Sequence, residues 1–81
     1  MQTITDEPIS VLATFADGQV KPWKFRCGSQ LYDIARVHLV HTERKGRTQF
    51  FYFHVSNAAQ AWKLRLDTET LQWRMVETYT P

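Results

Sequence analysis

The chain has 81 residues, ten basic and eight acidic, for a formal charge of +2, and 43% of it is hydrophobic. That composition describes one small folded domain and excludes a disordered segment, while leaving little apolar surface for a second core. A charge this small permits nucleic-acid contact but is well short of the density that would predict it unaided.

Met1 to Glu7 is polar, carries Asp6 and Glu7 and has no apolar stretch, so residues 1–7 are expected to be a flexible lead-in and not a signal peptide. The folded domain is expected to run from 8 to 81. The first strand-like run is Ile9 to Ala16, in which Val11, Ala13 and Phe15 alternate with Ser10, Leu12 and Thr14. Asp17-Gly18 follows as a two-residue hairpin signal, because such turns need a positive φ that Gly adopts readily. In Val20 to Cys27, Lys24 and Arg26 fall on one face and Trp23, Phe25 and Cys27 on the other. Pro22 has no N–H for a ladder, which predicts an edge or a bulge there.

Leu31 to Thr42 has two readings. A strand with a bulge near Ala35-Arg36 brings Tyr32, Ile34, Val37 and Leu39 to one inner face. A short helix over Leu31 to Leu39 is the competitor; the β-branched content favours strand. The charged loop Glu43 to Arg47 then leads into Thr48 to Val55, where Phe51, Phe53 and Val55 oppose Phe50, Tyr52 and His54. After Ser56-Asn57, Trp62, Leu64 and Leu66 alternate with Ala61, Lys63 and Arg65; Asp67-Thr68 turns the chain once more. The last run, Leu71 to Tyr79, sets Leu71, Trp73 and Met75 against Gln72, Arg74 and Val76.

The predicted fold is therefore all-β: one small domain of about six antiparallel strands in a meander, bent strongly or rolled into a partly open barrel. Its predicted core is Trp23, Phe25, Phe51, Phe53, Val55, Trp62, Leu64, Leu66, Trp73 and Met75. With one cysteine no internal disulfide can form, and no apolar run approaches the roughly 20 residues needed to span a bilayer. A cytoplasmic location without membrane contact is the expectation.

Several pieces, Pro8-Ile9-Ser10-Val11, Trp23-Lys24-Phe25-Arg26 with Gly28 and Tyr32, the aromatic run Phe51 to Val55, and Leu64-Arg65-Leu66-Asp67 with Trp73-Arg74, span nearly the whole chain. Their order resembles a small uncharacterised bacterial all-β domain that occurs alone or as a C-terminal appendage of proteins related to translesion DNA polymerases. The chain departs from that pattern in having no aromatic cluster between His38 and Gly46. The resemblance implies a DNA-repair neighbourhood and carries no catalytic residue with it.

Chemistry-bearing constellations are sparse. Cys27, His38, His41 and His54 lack the close spacing of a metal site, and no Cys-x-x-Cys or His-x-His pair occurs. Cys27 continues an apolar face, which suits a packing role better than a nucleophile. Three scattered glycines exclude a phosphate-binding loop. The chain is accordingly expected to be a non-catalytic binding module with no cofactor and no metal. Its candidate nucleic-acid-binding face is Lys24, Arg26, Lys63, Arg65 and Arg74, with Tyr52 and His54 interleaved, in the manner of platforms for single strands. The expected partner is single-stranded nucleic acid or a DNA-repair protein. That reading requires the cations to form one surface unpaired with Asp or Glu. The alternative is a protein–protein adaptor using the Phe50–Tyr52 aromatic row or an open strand edge, through which the chain would also self-associate.

Overall fold

A computed structural model of the protein describes residues 2–80. The alternating runs form seven strands: β1 (Gln2–Ala16), β2 (Gln19–Cys27), β3 (Gln30–Asp33), β4 (Arg36–Lys45), β5 (Thr48–Ser56), β6 (Ala61–Asp67) and β7 (Trp73–Tyr79). They make one antiparallel sheet in the order β3-β2-β1-β7-β6-β5-β4. The fold is all-β, bent, and not closed into a barrel.

The hairpin turns follow from local chemistry. Asp17 and Gly18 both have positive φ, 54° and 74°, as a tight turn between β1 and β2 requires. In the β5–β6 turn, Asn57 Oδ1 accepts from the N–H groups of Ala59 and Gln60 at 2.8 and 3.0 Å. Asp67 does the same for Glu69 and Thr70 after β6, at 2.8 and 3.2 Å. These bonds from the Glu69 and Thr70 amides hold the Asp67 carboxyl below its usual range, Glu69 contributing most.

Three expectations are corrected. The lead-in expected over residues 1–7 is strand from Gln2 onward: Gln2, Thr3 and Ile4 pair with Tyr79, Thr78 and Glu77, and Glu7 with Met75. Polar residues suffice because the last strand offers them an open ladder. Met1 lies outside the described residues. Second, Trp23 leaves the predicted core. Leu12 pairs with Lys24 but Ala13 with Pro22, so Trp23 is an extra residue on β2. The bulge puts Pro22 inward and turns Trp23 outward, 43% exposed, with its indole N–H on Thr14 Oγ1 at 3.1 Å. Pro22 thus sits at a bulge, on a stretch of β2 that β3 does not cover.

Third, Leu31 to Thr42 is neither one bulged strand nor a helix. It is interrupted at Ile34-Ala35, where the chain changes partner. Up to Asp33 it pairs with β2, and from Arg36 it pairs with β5. The Ile34 N–H donates to Trp23 O at 2.8 Å and the Ala35 N–H to Ser56 O at 2.9 Å. The two edges of the sheet are therefore consecutive strands, joined by a step of at most about 11 Å between Asp33 and Arg36. This step curls the sheet and stitches it at one end.

Packing follows the stitch. At the closed end Phe25 stacks on Tyr32 at 5.1 Å and meets the edge of Trp62 at 5.1 Å, and Ile34 is buried beside them. Phe53, Val55, Leu64, Leu66 and Met75 complete the buried core, with Phe51 and Trp73 partly buried against it. The predicted core thus holds apart from Trp23, with Ile34 and Tyr52 joining the buried residues.

Candidate functional site

The stitch closes one end of the curled sheet and leaves the other open. β3 pairs with β2 only over Lys24 to Cys27, so Gln19 to Trp23 face no strand on that side. Along β4, Arg36 to Lys45 pair with β5 alone. Between these two banks lies a cleft of about 400 Å³, lined by Gly18, Gln19, Val20, Val40, Phe51 and Phe53. Register places Val40 opposite Phe53 and Thr42 opposite Phe51. Phe15, opposite Val20, is on the same face as that lining residue and is largely exposed. The seam thus combines an apolar floor with two incompletely paired backbones.

The outer face of β5, β6 and β7 does bring together part of the predicted nucleic-acid face. His54 lies opposite Lys63, Tyr52 opposite Arg65, and Arg65 opposite Arg74. These cations are occupied, however. Arg74 Nε donates to Asp6 Oδ1 at 2.6 Å, Arg65 reaches the same carboxyl at 3.9 Å, and Lys63 pairs with Glu77 at 3.2 Å. The Asp6 carboxyl is held below its usual range, chiefly by the Arg74 bond. Glu77 is likewise held low, first by the Tyr79 hydroxyl and then by Lys63.

Lys24 and Arg26 belong to β2, separated from β7 by β1, and Lys24 pairs with Asp33 at 3.5 Å. Four of the five predicted cations therefore have acidic partners, and Arg26 has none among the described residues. Tyr52 is only 6% exposed, stacked on His41 at 5.0 Å and capped by the Lys63 ammonium at 5.0 Å. Its ring faces are not open to a base. Phe50 is partly buried, with Arg65 at 5.0 Å and Lys45 at 5.9 Å over its ring. The Phe50–Tyr52 row is therefore largely covered.

The histidines sit on this same outer face. His41 and His54 rings lie 5.4 Å apart, and the extra residue His38, at a bulge between Val37 and Leu39, meets Ser56 Oγ at 2.6 Å. Burial, Lys63 and His41 together push the His54 pKa down, burial contributing most. Cys27 is distant in role: its thiol donates to Glu7 Oε2 at 2.9 Å. That bond, then burial, raise its pKa to about 11. Among the described residues no group of three or more His, Cys, Asp or Glu is placed to hold a metal ion. No helix among them is long and apolar enough to cross a membrane.

Arg26 apart, the cations without acidic partners were not singled out by sequence reasoning. Among the described residues, Lys21, Arg26, Arg36, Arg44, Lys45 and Arg47 make no ion pair. All lie on β2, β4 or the turn after β4, so unpaired positive charge concentrates on the strands that flank the seam. Lys21 lies over the outward Trp23 ring at 4.1 Å. Nothing in the sequence marked Lys21, Arg36, Arg44, Lys45 or Arg47, because their distinction depends on where Ile34-Ala35 switches partner.

Comparison with family models, with curated proteins and with solved structures finds no match to this chain.

Proposed function

We propose that this protein is a small non-catalytic binding module that recognises a protein partner by strand addition at the open seam. The observation that carries this reading is the β4 edge: ten residues, Arg36–Lys45, with a strand on one side only and an apolar cleft on the other. Unpaired N–H and C=O groups in a row are a template for an incoming strand, and alternate pockets supply selectivity. The adaptor reading thus shifts from the covered Phe50–Tyr52 row to the strand edge. The resemblance to a translesion-polymerase appendage supports placing the partner in a DNA-repair assembly.

Selection from a displayed library of random ten-residue peptides tests this directly. The reading expects extended binders whose affinity is lost in Val40→Asp, which puts a charge into the cleft. Recovery of no binder, or of binders indifferent to that change, would contradict it.

Nucleic-acid binding is the second reading, and Lys21 over the exposed Trp23 ring favours it. Fluorescence anisotropy of a labelled mixed-sequence single strand at low and moderate salt tests it. Binding that falls steeply with salt supports it, and absence of binding at low salt removes it.

A further inference from the structure

The charges along the seam say which kind of strand it takes. β4 and the turn that follows carry Arg36, Arg44, Lys45 and Arg47, none ion-paired among the described residues, and the facing bank adds Lys21. The nearby carboxylates are fewer: Asp33 pairs with Lys24 at 3.5 Å, Glu43 with His41 at 3.2 Å, Glu69 accepts from Thr48 Oγ1 at 2.6 Å, and Asp17 lies in the β1–β2 turn. The two banks are therefore net positive, over a floor of Val20, Val40, Phe51 and Phe53.

We propose that the seam binds an extended acidic segment of a partner protein, laid antiparallel along β4, with every second side chain apolar and turned into the cleft. This rests on the strand-addition reading above and specifies its ligand. Ten residues of strand extend about 33 Å, so a segment of similar length matches the edge. Period-two alternation sends one set of side chains to Val40 and Phe53 and the other toward solvent. Acidic residues of the outward set then meet Arg36 and Lys45, while Arg44 shares the face of Val40 and Thr42 at the end of the cleft; opposite-charge cross-strand pairs stabilise a ladder while like pairs destabilise it.

The same cations disfavour a second copy as occupant. A two-fold β4–β4 pairing would bring Arg36, Arg44, Lys45 and Arg47 of each chain against those of the other. Cations on an exposed edge are a recognised guard against self-pairing. Here they also select the partner.

The test is anisotropy with labelled ten-residue peptides of alternating Glu–Val and alternating Lys–Val, against the whole chain and its Arg44→Glu/Lys45→Glu variant. The Glu–Val peptide is expected to bind roughly tenfold or more tighter than the Lys–Val peptide, and the double reversal is expected to invert that order. N-methylation of alternate Glu–Val amides is expected to abolish binding, because it removes the ladder donors. Equal binding of both peptides overturns the charge selection while leaving strand addition standing. Binding of neither peptide, or binding that survives N-methylation, overturns strand addition as well. Displacement of the Glu–Val peptide by single-stranded DNA whose own binding is lost in the same variant overturns the protein-segment assignment in favour of nucleic acid.

Discussion

Ile34→Ala tests the stitch that creates the seam. Ile34 is 8% exposed, sits in the core beside Phe25 and Trp62, and gives its N–H to Trp23 O. The substitution removes three buried carbons, worth about 2.4 kcal/mol at roughly 0.8 kcal/mol each, and leaves a cavity that raises the cost to about 2–4 kcal/mol. A domain of this size has a total stability of about 4–12 kcal/mol, so the loss is a large fraction of it. The matched control is Leu31→Ala on β3, 59% exposed, which should cost about 0.5 kcal/mol or less. Urea melts monitored by tryptophan fluorescence give both values. Amide exchange should also show earlier loss of protection in Lys24 to Cys27, the β2 residues that β3 covers. A cost below about 1 kcal/mol for Ile34→Ala, or one equal to that of Leu31→Ala, would refute the claim that Ile34 anchors the partner switch.

The other expectations concern single groups. Cys27 should alkylate at pH 8 at least about tenfold more slowly than a free cysteine, since its pKa is raised to about 11, and Glu7→Gln should accelerate it; equal rates in both chains would contradict the Glu7 bond. Because His54 has a lowered pKa when folded, its contribution to stability is complete above about pH 6.5 and is lost as pH falls toward the folded value. Denaturant melts between pH 7.5 and 5 should show a decline that His54→Gln reduces, and an unchanged slope would contradict it. Leu71 holds a φ of 62° in an exposed position, so Leu71→Gly should stabilise by about 0.5–1 kcal/mol; thermal melts should show a raised Tm.

The period-two runs made most of the strands legible, because alternation alone assigns Phe53, Val55, Leu64, Leu66 and Met75 to one face. Pro22 also announced its bulge, but not which neighbour would turn outward; that required the register between Leu12 and Lys24. The partner switch at Ile34-Ala35 was hidden because both halves look like one irregular strand, and only tertiary pairing distinguishes them. The same limit explains the basic face. Lys63, Arg65 and Arg74 were correctly placed outward, yet Asp6, more than fifty residues distant, arrives only when the polar N-terminal segment pairs with β7. Ion pairing across such separation leaves no local signal.

Residue-resolved amide shifts on adding the Glu–Val peptide to the ¹⁵N-labelled chain test the central claim most directly. The account predicts shifts confined to Arg36–Lys45, to Phe51 and Phe53 on the cleft floor, and to Gln19, Val20, Lys21 and Trp23 on the facing bank. Shifts centred instead on Lys63, Arg65 and Arg74 on the outer face of the sheet would contradict it.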